Sequence, residues 1–158
     1  MFVSYKQKIY NRDVTYLNHI DFMKEAIKEA KKCCIDVPVG CVIVKNNQII
    51  ARSHNTRENQ NLVTGHAELN AINDACGQCK SWHLEDCDLY VTLEPCPMCA
   101  GAIKAARIRN VYFGSFNKTE GAAMTVYNLL YPEVCAFGGI LEEECTALLT
   151  DFFKNIRN

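Results

Sequence analysis

His66, Glu68, Cys96 and Cys99 are the residues of this 158-residue chain whose types and spacing could do chemistry. Cys96 and Cys99 stand three apart, which on a helix turns both thiols to one face and lets two sulfurs reach a single ion. His66-Ala67-Glu68 and Pro95-Cys96 each precede a helix-forming run, and the free N–H groups of a helix start favour the thiolate that binds metal. His66 adds a neutral imidazole nitrogen. Two cysteines and one histidine close three positions of a tetrahedron and leave the fourth to water, the arrangement of a catalytic zinc rather than a structural one. Glu68 follows His66 by two, a spacing that does not stack on one helical face, so it approaches the water as general acid/base instead of ligating. Zinc brings the pKa of bound water toward about 7, and a carboxylate within reach carries that proton to a leaving amine. Such chemistry suits hydrolytic deamination.

The same cysteines admit a rival reading. Cys76-x₂-Cys79 and Cys96-x₂-Cys99, separated by residues 80–95, fit the spacing of a structural Cys₄ zinc site in a non-catalytic binding module. Against that reading, a helix-forming run follows Cys99 instead of a tight glycine turn, and His66, Glu68 and Pro95 would have no part to play.

The positioning elements follow from periodicity. Apolar residues recur at helical spacing from Asp21 to Cys34, and Val39–Val44, Asn46-Asn47 and Gln48–Ser53 read as a β-hairpin. Residues 55–64 read as a loop, and Ala67, Leu69, Ala71, Ile72 and Ala75 favour a helix. Strand Asp88–Leu93 leads to a helix opened by Pro97, then strand Asn110–Gly114, a loop, a short helix Thr125–Leu130, a strand near Val134–Phe137 and a helix Leu141–Arg157. A hairpin followed by strands alternating with helices predicts a three-layer α/β/α domain with a mixed five-stranded sheet, antiparallel at one edge. One domain over residues 1–158 is expected, with residues 1–18 as an N-terminal extension.

Composition narrows the partners and compartment. Hydrophobic residues make up 49% and charged residues 22%, an ordinary globular profile that excludes fibrous and disordered classes. Seventeen basic against eighteen acidic residues leave a net charge of -1, so a polyanion would need a local patch. Lys104, Arg107, Arg109 and Lys118 against Glu120 give the segment 101–120 a net +3, the candidate phosphate contacts; a solvated helix face is the plainer reading. No signal-like or bilayer-length apolar run is present, so a cytoplasmic protein without membrane association is expected. Its ten cysteines are then reduced. Cys33, Cys34, Cys41, Cys87, Cys135 and Cys145 are expected as core filler.

His-x-Glu followed by Pro-Cys-x-x-Cys is an established mark of the zinc deaminases, so the roles given above follow that known pattern. The chain resembles bacterial tRNA-specific adenosine deaminases, within the cytidine deaminase-like superfamily. The matching residues are Val37-Pro38-Val39-Gly40, the His-Ala-Glu, Leu89 to Ala102, Gly121-Ala122-Ala123 and Leu141 to Cys145, and the resemblance covers roughly 21–157. It implies the cytidine deaminase-like fold, one zinc ion per subunit, a homodimer, and conversion of the wobble adenosine of a tRNA anticodon loop to inosine. It further implies that Asn55 hydrogen-bonds the flipped base, that Val39 walls the pocket, and that the Ala67 N–H helps hold the base and zinc-bound hydroxide. Asn55 read alone is a turn residue. Members usually carry Ala where Gly65 stands and Gly-Ser where Met124-Thr125 stands, the latter in a loop expected near nucleic acid. Related deaminases of free guanine or cytosine share the zinc motif, which alone does not choose among them.

Overall fold

In a computed structural model that describes residues 14–158, with side chains from His19 onward, five strands form one sheet. In chain order the elements are α1 (Val14–Ala30), β1 (Gly40–Lys45), β2 (Gln48–His54), α2 (Arg57–Gln60), α3 (Ala67–Cys79), β3 (Cys87–Leu93), α4 (Pro97–Ala105), β4 (Asn110–Ser115), β5 (Cys135–Gly138) and α5 (Glu142–Ile156). The strand order is β2-β1-β3-β4-β5. β1 pairs antiparallel with β2 and β3, whereas β3, β4 and β5 run parallel. The expected mixed α/β/α architecture is therefore formed. The part of the N-terminal extension before residue 14 lies outside the described residues.

Alternation along the strands separates two cores. Cys41 and Ile43 of β1, Leu89 and Val91 of β3, and Val111 and Phe113 of β4 face α3 and α4, packing on Ala71, Ala75 and Ile103. Val42, Val44, Tyr90 and Tyr112 face the other way, onto Met23 and Ala26 of α1 and Cys145 of α5. On that second face Tyr90, Tyr112 and Phe137 are in register across β3, β4 and β5 and stack at 4.7 and 5.1 Å between ring centroids. Asn46 and Asn47 turn the β1–β2 hairpin with φ of 50° and 60°, the left-handed pair that asparagine tolerates.

Four expectations are corrected. The first helix runs from Val14 to Ala30 instead of Asp21 to Cys34, so it takes in residues 14–18 of the expected extension, and it ends early because the bonds Lys32 N–H to Glu29 and Cys33 N–H to Ala30 tighten to i→i−3 spacing and unwind it. The loop over 55–64 contains α2, a single turn whose Glu58 and Asn59 N–H groups donate to the carboxylate of Asp36, a cap 22 residues away that no local pattern signals. Thr125–Leu130 is not helical: the N–H groups of Ala123, Met124 and Thr125 donate to Glu94, and those of Val126 and Tyr127 to the Gly121 carbonyl. Cys41, Cys87 and Cys145 are buried as expected, but Cys34 and Cys135 are exposed and Cys33 is half-buried, since Cys33 and Cys34 lie past the end of α1 and Cys135 opens the edge strand.

Candidate active site and metal centre

Two helix starts converge on one point. His66 is the N-cap of α3 and Cys96 the N-cap of α4, both with extended backbone and neither with a side-chain capping hydrogen bond. Positions that usually carry Ser, Thr, Asp or Asn, where a cap contributes about 1 kcal/mol, here carry groups free to bind something else. Pro97 opens α4 at a position where its missing N–H costs nothing, and Cys99 follows in the first turn, fully buried.

The His66 Nδ1 atom lies 3.4 Å from Cys99 Sγ and 3.7 Å from Cys96 Sγ. Zinc bonds of about 2.3 Å to sulfur and 2.0–2.1 Å to nitrogen, set at tetrahedral angles, put such ligand atoms about 3.6 Å apart, so the triangle fits the ion. Among the described residues this is the one group of three or more His, Cys, Asp or Glu whose ligand atoms lie within 4.8 Å of one another. Three protein donors leave a tetrahedral ion one open position.

The protonation states agree. The Cys99 thiol donates to Cys96 and holds the Cys96 thiol down at about 4, while Cys99, as the donor, is pushed well up; the pair gives up its first proton readily and shares the second. The hydrogen bond to Cys96 raises the His66 imidazole. Glu68 is 4% exposed beside them, and burial pushes its carboxyl up to about 7. A carboxyl poised there both takes and returns a proton near neutral pH.

The structure brings Asn55, Val39 and Ala67 to this point and binds them to one another. Asn55 Oδ1 accepts from the Ala67 N–H at 2.9 Å, its Nδ2 donates to the Val37 carbonyl at 2.9 Å, and its own N–H donates to the Val39 carbonyl at 3.1 Å. The Ala67 N–H expected to face a base is thus satisfied from within. Gly65 has a packing reason: a Cβ there would sit 2.9 Å from the backbone N and Cα of Arg57 in α2.

Lys104, Arg107 and Arg109 come together around one cavity, each paired with an acid, and Lys118 stands apart from them. Lys104 pairs with Glu133 at 3.3 Å, Arg107 with Glu85 at 3.1 Å while lying over the Trp82 ring, and Arg109 grips Asp88 through two bonds of 3.1 and 3.0 Å. All three lie at or beyond the C-terminal end of α4, a helix about 13 Å long whose other end holds Cys96. Lys118 is separate: it sits next to Asn117, whose N–H donates to Glu94, and among the described residues it joins no ion pair.

Cys76 and Cys79 lie along α3 about 15 and about 20 Å from His66, against the α3–α4 core. The Cys₄ arrangement is not formed. Replacing both with Ser is expected to leave one zinc per chain by elemental analysis; loss of the metal would overturn the three-ligand assignment.

Sequence reasoning gave no role to Glu94, which is 1% exposed and accepts from Asn117, Ala123, Met124 and Thr125 N–H groups and from the Thr125 hydroxyl. Its signal was available as an acidic residue closing the apolar run Leu89–Leu93. The same contacts account for Met124-Thr125, because Thr125 keeps a hydroxyl and Met124 packs on the core.

Residues 17–115 match the family model of the cytidine and deoxycytidylate deaminase zinc-binding region. The chain is 48% identical over 143 residues to the tRNA-specific adenosine deaminase of Bacillus subtilis, covering 86% of this chain and 89% of that one. It is 41% identical to the tRNA-specific adenosine deaminase of Aquifex aeolicus, covering 87% and 95%. A solved tRNA:A34 deaminase, from work on A-to-I editing at the wobble position of transfer RNA, superposes with a TM-score of 0.78 at 38% identity over 82% of this chain and 99% of that one. The guanine deaminase of B. subtilis superposes with a TM-score of 0.60 at 42% identity over 62% and 64%. The near-complete cover of the tRNA enzymes, together with the Cys₂His triangle and the buried Glu68, places this chain in the tRNA-specific adenosine deaminase family of the zinc-binding cytidine and deoxycytidylate deaminases.

Proposed function

We propose that this protein hydrolyses the wobble adenosine of a tRNA anticodon loop to inosine, with His66, Cys96 and Cys99 as the ligands of one zinc ion and Glu68 as the catalytic acid/base. The observation that carries the reading is the ligand triangle with the buried carboxyl of Glu68 against it. Bound there, zinc supplies the Lewis acidity that makes water a nucleophile near neutral pH. Glu68 accepts the proton of the attacking water and delivers it to N1 of the adenine as the C6–O bond forms. A second proton passes through the same carboxyl to the exocyclic nitrogen as the C6–N bond breaks, so water and adenosine become inosine and ammonia. Asn55 and Val39 frame the base, and Asn55 keeps a second amide hydrogen for it while anchoring Ala67. The base must leave its stack to reach the site, which an unpaired loop allows at low cost.

The working form is a cytoplasmic homodimer. Support for the compartment comes from ten cysteines that are all unpaired; among the described residues no helix is long and apolar enough to cross a membrane. Support for the dimer comes from Gly101 and Ala105, exposed with Met98 along one side of α4 while Ala100, Ile103 and Ala106 fill this chain's own core.

The deciding assay offers an anticodon stem-loop with a wobble adenosine beside free guanine, cytosine and adenosine, and measures ammonia. Turnover of the stem-loop alone is expected; turnover of a free base with an inert stem-loop would assign the protein to free-base deamination. Charge reversal at Lys118 is expected to weaken stem-loop binding and lower its salt slope by about one, whereas reversal at Arg109, already paired to Asp88, moves binding less. Equal effects would favour the α4 end as the RNA surface.

A further inference from the structure

Resting on that proposed reading, we infer that Glu94 is a positioning residue that fixes the 117–125 loop to the ligand segment and so shapes the entrance through which the nucleotide arrives. Its carboxylate is an acceptor-only group at the end of β3, two residues before Cys96 and buried. It collects Asn117 N–H at 3.1 Å on one oxygen, and Ala123, Met124 and Thr125 N–H at 3.2, 2.7 and 2.9 Å on the other, with the Thr125 hydroxyl as a fifth donor. A second tie runs beside it, from the Ala122 N–H to the Pro95 carbonyl at 2.8 Å. Gly121 closes the cradle, since a Cβ there would run into the Glu94 carboxylate.

This is a nest of converging N–H groups of the kind that binds anions, filled here by the protein's own side chain. The loop it holds begins beside Lys118 and continues into exposed Val126, Tyr127 and Leu129, a cation and an aromatic ring of the types that meet phosphate and an unstacked base. The tie runs through Pro95 and Glu94, so the loop's shape is set by the same short segment that sets Cys96. Glu94 touches neither substrate nor metal in this scheme. It acts through the loop.

The test uses the full-length, zinc-loaded protein and measures zinc per chain, solution mass, kcat and KM on the anticodon stem-loop, and amide exchange by mass spectrometry. Glu94→Gln sets an amide N–H₂ against the N–H donors. It is expected to raise KM about tenfold or more with kcat within about threefold, zinc at one per chain, and faster exchange confined to 117–125. Thr125→Val removes one donor without burying a new one and is expected to raise KM a few-fold; Thr125→Ser keeps the hydroxyl and restores the parent KM. Unchanged exchange over 117–125 in Glu94→Gln would overturn the inference. So would loss of zinc or an equal fall in kcat, which would assign Glu94 to the support of the metal site rather than of the loop, and a fall in solution mass, which would assign the loop to subunit contact. If the parent protein leaves the stem-loop untouched, the proposed function fails, while the exchange measurement still decides whether Glu94 holds the loop.

Discussion

Glu68→Gln is expected to slow inosine formation by about 10²–10⁴-fold while the protein keeps one zinc per chain and its fold. The side chain is 4% exposed and nearly isosteric with glutamine, so the change removes proton transfer without opening a cavity. Its carboxyl sits near 7 because it is buried, and a neutral amide in that place carries no desolvated charge. Thermal stability is therefore expected to hold or rise. Rates from inosine release, read beside zinc content and Tm, check this. Activity within a few-fold of the parent would remove Glu68 from the reaction and return the chain to the reading of a metal-stabilised binding module.

Cys99→Ala is expected to abolish both metal binding and turnover and, unlike the previous variant, to lower Tm. Cys99 is fully buried in the first turn of α4 and lies 3.4 Å from His66 Nδ1. Without it the site keeps two donors, too few to hold the ion through desalting. A metal that binds the folded chain in preference to the unfolded one stabilises it by mass action, so a chelator applied to the parent protein should reproduce the shift in Tm and leave the variant unmoved. The Cys76→Ser/Cys79→Ser double variant should behave as the parent does. A Cys99→Ala protein that retains stoichiometric zinc would break the triangle.

What was legible in the sequence was what neighbouring residues decide. The alternation of Cys41 and Ile43 against Val42 and Val44 records two cores on two faces of one strand. The three-residue spacing of Cys96 and Cys99 after Pro95 records a helix start carrying two sulfurs. The illegible parts are those where a distant side chain takes over a local group. Thr125–Leu130 has helix-compatible residues, yet Glu94, some thirty residues earlier, takes the N–H groups that would otherwise stay free at a helix start. Residues 57–60 form a turn because Asp36 caps it. Lys104, Arg107 and Arg109 sum to a basic segment on paper, but Glu133, Glu85 and Asp88 come from other strands and loops to neutralise them.

The in-register column of Tyr90, Tyr112 and Phe137 gives the protein an optical division of labour. Stacked rings fixed in a chiral setting generate near-ultraviolet circular dichroism, and these lie on the α1–α5 face of the sheet, across from the metal ligands. The single tryptophan, Trp82, is 57% exposed, lies under Arg107 and leans at a tilt against the His83 ring, so its fluorescence samples a patch of surface and not the core. Titrating a chelator while recording both signals therefore separates events. A dichroism band that survives metal loss means the sheet outlasts the site, and one that collapses with it means the two faces melt as a single cooperative unit.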